Sequence, residues 1–311
     1  MTEYTRRHLA MLACVAALCV AVGAPTAAAQ ARRGALREAL RDRASGRNEQ
    51  ATLLPLPPGT RVQRNLAYGR DAKQAFDVYL PPDPRNAPVL VMVHGGGWAL
   101  GDKASPGVAE NKVAHWLPKG WIVVSANNRL LPDADPLQQA RDVAAATARV
   151  QRLAPQWGGD PARVVLMGHS AGAHLVALVG ADPAFLRDAG ARPVRGVVAL
   201  DSAAMDAVAA AADPPLPRIY DQAFGKDPAA IRAASPLHRL QPGAAPLLSV
   251  CSTLRRQVCA QSRAFASAAA AVGTRVEVLP QPLSHKAINQ ALGLPSDYTR
   301  AVDVFVDGLV R

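Results

Sequence analysis

Residues 163–180 read RVVLMGHSAGAHLVALVG: a short apolar run, then Gly168-His169-Ser170-Ala171-Gly172, then a run of small and apolar residues of helical length. A chain passes from a buried strand into a helix over so few residues only through a tight turn, and the two glycines leave the room that turn needs. Such a turn belongs at the carboxyl edge of a largely parallel sheet. The flanking sequence agrees. Val89–Val93, Trp121–Ser125, Val164–Met167, Val197–Leu200 and Leu247–Val250 are apolar runs of strand length, as in strands buried on both faces. Arg64–Tyr68 and Ala75–Leu80 alternate like half-exposed strands and are expected to form an antiparallel edge, and Arg275–Leu279 is the last strand. Helical patterns lie between them at Asn111–Leu117, at Leu137–Leu153 with Asp135-Pro136 as its start signal, and at Tyr298–Leu309. The expectation is one α/β domain: a mostly parallel, eight-stranded sheet with helices on both faces. Aromatics make up only 5% of the chain while alanine is abundant, which favours such helices over an all-β sandwich. Residues 203–244 exceed an ordinary crossover and carry several prolines, so they are read as a small inserted segment after the sixth strand.

The amino-terminal part reads differently. Arg6 and Arg7 precede an apolar run from Leu9 to Val22 and then TAAAQA, the order of an export signal, with Ala27-x-Ala29 or Ala29-x-Ala31 as cleavage site. The arginine pair loosely resembles a twin-arginine signal. The run is short for a membrane span, so no stable membrane anchor is expected once the signal is removed. Residues 1–31 are thus assigned to the signal, 32–60 to a basic arm ending in the proline-rich LLPLPPGT, and 61–311 to the folded domain. The location that follows is the periplasm or the exterior. There Cys251 and Cys259, eight positions apart, are expected to pair as a disulfide, the alternative being two free buried thiols. The net charge of +11 is spread over isolated arginines without aromatic interleaving, which gives no support to a nucleic-acid partner.

Ser170, in the tight turn, would stand exposed at the head of a helix as a nucleophile. The strand Val89–Val93 ends in His94-Gly95-Gly96-Gly97-Trp98. Glycines there let backbone amides face a substrate oxygen, so Gly95, Gly96 and the amide of Ala171 are candidates for an oxyanion hole. His94 is read as orienting the loop. No GxGxxG or phosphate loop appears and no histidine pair has metal-ligand spacing, so neither a cofactor nor a metal is expected.

With HGGGW, Gly101-Asp102-Lys103, Gly158-Gly159-Asp160-Pro161 and the GHSAG turn in place, the chain from about Arg61 onward resembles the α/β-hydrolase superfamily. Within it the resemblance is to the HGG-bearing esterases akin to hormone-sensitive lipase, and most of all to bacterial acetyl/feruloyl-type esterases. That resemblance implies a serine carboxylic-ester hydrolase acting on a small-molecule ester. It also implies a general-base histidine after the last strand, which His285 supplies; His169 and His174, beside the turn, suit packing better. Arg129 and Asp142 are expected to pair, and Asp102 and Lys103 to fix a loop. Trp98 and residues 203–244 are expected to line the substrate pocket.

The acid departs from the pattern. The family usually carries an aspartate in the loop after the penultimate strand, where this chain has Cys251-Ser252-Thr253-Leu254-Arg255-Arg256. Arginine beside an imidazole opposes the imidazolium and cannot replace the acid. Asp201, directly after Val197–Leu200, is the expected replacement, since some α/β-hydrolases carry the acid there; Asp206 is the alternative. The later loop would then be vacated, with Cys251 and Cys259 tying its ends. Two other readings stay open: a formamidase on the same residues, since such amidases carry a similar HGG-x-W motif, and a non-catalytic binding module on a hydrolase-like scaffold.

Overall fold

The computed structural model describes residues 56–212 and 218–311. The expected signal at 1–31, and the arm and linker at 32–60 except its last five residues, lie outside the described residues. The domain's first strand, β1 (Arg61–Ala67), pairs antiparallel with β2 (Ala75–Leu80), and β2 pairs antiparallel with β4 (Ile122–Ala126). The strands β3 (Ala87–Val93), β4, β5 (Gly159–His169), β6 (Gly196–Leu200), β7 (Leu247–Ser252) and β8 (Val276–Gln281) run parallel, and the sheet order is β1-β2-β4-β3-β5-β6-β7-β8.

Strand β3 shows why the apolar runs are continuous. Val89, Val91 and Val93 pack into one core layer, and Leu90 and Met92 into the layer on the opposite face. Side chains alternate across a strand, so a strand covered on both faces leaves no side chain in water and favours apolar residues at every position. The first layer is closed by α2 (Pro136–Leu153), α3 (Ala171–Ala181) and Phe265 of α9 (Val258–Ala271); the second by α1 (Glu110–Trp116), α10 (His285–Ala291) and α11 (Asp297–Val310). Buried side chains such as Trp116, Phe76 and Leu166 each contribute about 1.5–3 kcal/mol from leaving water.

Local signals set the helix bounds. Asp135 accepts from the Gln138 amide while the Gln138 side chain accepts from the Asp135 amide, and Pro136 opens α2 with its φ already fixed. Helix α3 is buried throughout and ends at Asp182 (φ −122°), which precedes Pro183 and is therefore excluded from helical geometry. Strand β5 begins earlier than the expected Val164. Its pairing with β3 jumps from Gly159 to Val164, so Asp160–Arg163 bulge between two paired positions, with the Ala162 amide on the Asp160 carboxylate. Helix α4 (Ala184–Asp188) precedes β6, and the expected insertion holds α5 (Ala207–Ala212), α6 (Arg218–Phe224), α7 (Pro228–Ala233) and α8 (Pro236–Arg239).

Two ion pairs with buried carboxylates brace the loops at the carboxyl edge. Asp142 on α2 accepts from the amide, Nε and Nη2 of Arg129 at 3.0, 2.9 and 2.7 Å, as expected for that pair. Lys103 meets Asp77 of β2 at 3.0 Å, and Asp102 accepts from Asn127 and Lys73, which holds the segment after the glycine loop against the sheet.

Candidate active site

Ser170 stands between β5 and α3 with φ 56° and ψ −117°, a backbone state that costs of order 1–3 kcal/mol and persists only where its surroundings enforce it. The enforcement is visible. The Ser170 amide donates to the Leu200 carbonyl of β6 at 2.9 Å. A Cβ on Gly168 would lie 2.3 Å from the Gly172 carbonyl oxygen, and one on Gly172 would lie 2.4 Å from the carbonyl oxygens of both Val93 and His94. Both glycines are thus required by close approach of backbone.

The glycine loop lies against this turn. An added Cβ on Gly95 would be 3.0 Å from the Ser170 Cβ, so the Gly95 backbone runs beside the serine. Gly96, at φ 125°, carries the chain back on itself toward Leu100. Ala171 is the first residue of α3, where amides lack a partner within the helix. His94 Nδ1–H donates to the Gly95 carbonyl at 2.8 Å; burial lowers its pKa, so it is a neutral brace for the loop. Trp98 donates from Nε1 to His174 Nδ1 at 3.2 Å, and His174 Nε2–H donates to the Ala234 carbonyl at 2.7 Å. Burial lowers the His174 pKa to about 4, leaving one neutral tautomer that ties the glycine loop, α3 and the inserted segment together. Phe224 and Tyr220 of α6 pack edge-on to Trp98 at 4.9 and 5.3 Å between ring centroids.

His285 opens α10 behind the cap of Ser284, whose hydroxyl accepts from the Ala287 amide at 3.2 Å. Its Nε2 lies 2.9 Å from Ser170 Oγ and its Nδ1 2.6 Å from Asp201 Oδ2. The carboxylate fixes the proton on Nδ1 and leaves Nε2 free to accept from the serine hydroxyl. Asp201 follows β6 at φ 58°, fully buried, with its amide on the Val250 carbonyl at 2.8 Å. Asp206 is elsewhere. It caps α5 by accepting from Val208 and Ala209 at 3.0 Å each, and it faces His238.

The loop after β7 is not vacated, which corrects the sequence-based expectation. Its Ser252 amide donates to Asp201 Oδ1 at 2.7 Å, and Arg255 Nη1 donates to Asp201 Oδ2 at 2.6 Å and to the Asp201 carbonyl at 3.1 Å. Burial would raise the Asp201 pKa, but the His285 hydrogen bond, the Arg255 charge and the Ser252 amide outweigh it and hold the carboxyl at about 2. Arg255 Nη1 also lies 3.0 Å from His285 Nδ1, because both donors converge on one oxygen. The loop that lacks an acid thus supplies the acid's counter-charge. A Cys251–Cys259 disulfide closes it, with Cα atoms 5.2 Å apart.

Two further groups steady His285. His169 donates from Nε2 to the His285 carbonyl at 2.9 Å, its ring 4.5 Å from that of His285. Burial, then the neighbouring imidazole, lowers the His169 pKa to about 3, so it stays neutral. Lys112 of α1, with no exposed surface, donates to the carbonyls of Gly107 and Asn289 and to Asn289 Oδ1, fastening α10 to α1. Burial lowers the Lys112 pKa to about 7.

Against Ser170 lies a cavity of about 130 Å³, lined by Trp98, Ala203 and Ile219 on its apolar walls and by Ser202, Tyr220 and Arg255 on its polar ones. Trp98 and the segment residues Ala203, Ile219 and Tyr220 thus border the cavity that Ser170 faces. Among the described residues no group of three or more His, Cys, Asp or Glu is placed to hold a metal, and no helix is long and apolar enough to cross a membrane.

Residues 76–189 match the family model described as BD-FAE. That stretch contains the glycine loop and Ser170 but stops before Asp201 and His285. The chain is 33% identical over 117 residues to a probable isoprenylcysteine alpha-carbonyl methylesterase of Oryza sativa, covering 37% of this chain and 28% of the relative. It is 37% identical over 143 residues to the carboxylesterase NlhH of Mycobacterium tuberculosis, covering 45% and 43%. The chain thus spans less than half the length of these curated relatives. Esterase B from Lactobacillus rhamnosis, solved with a bound inhibitor, superposes with a TM-score of 0.68 at 23% identity, over 90% of this chain and 96% of that one. The chain has the α/β-hydrolase fold, and its sequence similarity lies with the esterase/lipase group.

Proposed function

We propose that this α/β-hydrolase-fold chain is a serine carboxylic-ester hydrolase working through an acyl-enzyme. The observation that carries the reading is the line Ser170 Oγ–His285 Nε2 at 2.9 Å and His285 Nδ1–Asp201 Oδ2 at 2.6 Å. His285 takes the hydroxyl proton as Ser170 Oγ attacks the ester carbonyl. The amides of Gly95, Gly96 and Ala171 receive the charge on the tetrahedral oxygen. Collapse breaks the bond to the alcohol, which leaves with the proton from His285. Water, deprotonated by His285, then attacks the acyl-enzyme and releases the acid with Ser170 restored. Asp201 holds the tautomer and balances the imidazolium throughout. The esterase names of the relatives support the same reaction class.

Steady-state hydrolysis of p-nitrophenyl acetate, with N-formylkynurenine as amide comparator, tests this. Turnover of the ester that disappears in Ser170→Ala is expected. Turnover of the formamide alone would transfer the reading to an amidase, and a folded protein inert on both would remove it.

Export is part of the same proposal, supported by Arg6-Arg7, the apolar run Leu9–Val22 and the small residues that follow, and by a disulfide suited to an oxidising compartment. Amino-terminal sequencing of the protein from the envelope fraction should find a chain starting near Gln30 or Arg32. An intact amino terminus in the cytosol would contradict it.

A further inference from the structure

We infer that the ester this site takes carries a carboxylate close to the scissile bond, received by Arg255 and Tyr220. The inference rests on the ester-hydrolase reading and adds the substrate class to it.

Arg255 borders the cavity beside Ser170, and among the described residues it spends only one of its three nitrogens on protein: Nη1 serves the Asp201 carboxylate and carbonyl. Among the described residues Nε and Nη2 make no hydrogen bond, and 31% of the side chain is open to solvent. A guanidinium offers two parallel donors to a carboxylate, so the uncommitted edge is a ready-made anion receptor. Tyr220 borders the same cavity and its hydroxyl has no hydrogen-bond partner among the described residues. Burial keeps that phenol neutral, hence a donor. Asp201 is wholly buried and its two oxygens already meet three donors, so the cavity's polar wall offers donors and no free carboxylate.

Charge balance points the same way. In a Ser-His-Asp triad the carboxylate is the sole counter-ion of the imidazolium. Here Arg255 shares that carboxylate and lies 3.0 Å from the imidazole nitrogen, so an imidazolium forms against an adjacent cation. A substrate carboxylate on the free edge of Arg255 supplies the missing negative charge, and it does so only when substrate is bound. The cavity, of about 130 Å³, has room for a short arm ending in a carboxylate, since a void of roughly 150 Å³ takes up benzene.

The test compares kcat/KM for monomethyl succinate and its neutral isostere methyl succinamate at pH 7.5, with O-acetylglycolate against O-acetylglycolamide to place the carboxylate on the alcohol side instead. A preference of about tenfold or more for one carboxylate over its amide is expected in the wild type. That ratio should fall toward one in Arg255→Gln and decline in Tyr220→Phe; because it is a ratio, any effect of Arg255 on the triad itself cancels. Ratios near one for both pairs in a wild-type enzyme that hydrolyses the neutral esters would overturn the inference while leaving the esterase reading standing. A preference that survives in Arg255→Gln would overturn its assignment to that residue. No hydrolysis of any of the four esters or of p-nitrophenyl acetate would overturn the underlying reading as well.

Discussion

Replacing Asp201 by asparagine removes one charge from a site where three donors meet two oxygens. The carboxylate receives Ser252 at 2.7 Å on one oxygen and both His285 and Arg255 at 2.6 Å on the other. An amide has one oxygen to offer. Turned toward His285 and Arg255, it leaves its NH2 facing the buried Ser252 amide, a cost of about 1–3 kcal/mol. Turned the other way, it donates into His285 Nδ1, moves the proton to Nε2 and blocks acceptance from Ser170. In both states the imidazolium loses its counter-ion and keeps Arg255 as a neighbour. A unit charge at about 4 Å in an effective dielectric of about 20 is worth about 4 kcal/mol, and about 1.36 kcal/mol is a decade in rate. A fall in kcat of roughly three to four decades follows, in line with the loss of about 10⁴ on the corresponding change in a serine-protease triad. KM should move little, since the carboxylate is behind the histidine rather than in the cavity. The assay is steady-state hydrolysis of p-nitrophenyl acetate, with circular dichroism to show that the fold persists. Asp206→Asn is the control: asparagine caps a helix about as well as aspartate, so the variant should keep both its fold and its turnover. A decrease of less than tenfold in Asp201→Asn would refute the role given to this carboxylate.

The same carboxylate ties stability to pH. Its pKa is about 2 in the fold against an ordinary 3.8, so its contribution is complete above about pH 4 and is lost as pH falls through 2. At about 1.4 kcal/mol per unit this is on the order of 2 kcal/mol, and urea unfolding of wild type and Asp201→Asn should differ by less at pH 2 than at pH 5; an unchanging difference would count against it. Reducing Cys251–Cys259 should lower unfolding stability by roughly 2–3 kcal/mol in the chain-entropy model and slow turnover by loosening Ser252 and Arg255; an unmoved urea midpoint would show the bond to be dispensable. Gly172→Ala puts a methyl group 2.4 Å from two backbone carbonyl oxygens and should cost about 3 kcal/mol or more, read as a drop in melting temperature; a wild-type melt would mean the turn can relax.

What could be read in the sequence was what is local. Ser170 and its glycines announce themselves because one turn must satisfy strand, nucleophile and helix within five residues. Asp201 was legible because it ends an apolar run, and strand ends collect at one edge of a parallel sheet. Arg255 is visible in the sequence, but its role is not. Its partnership with Asp201 depends on β6 and β7 being neighbours and on where a long side chain points, and neither has a sequence period. The signal that could have found it is the coincidence itself: a new acid on one strand end and a new cation on the next. Lys112 was invisible for another reason. On a short helix a lone lysine reads as solvated, and only the folded α10 brings the Asn289 oxygens that join the nearby Gly107 carbonyl around it. The bulge at Asp160–Arg163 and the four short helices after β6 likewise follow from packing rather than from periodicity.

The most direct measurement is covalent labelling by a fluorophosphonate, read by intact mass and peptide mapping. One adduct per chain on Ser170, absent in Ser170→Ala and much slower in His285→Ala, is the result expected of a serine activated by His285. A folded protein that takes no label, or takes it on another residue, would contradict the assignment of Ser170 as the nucleophile.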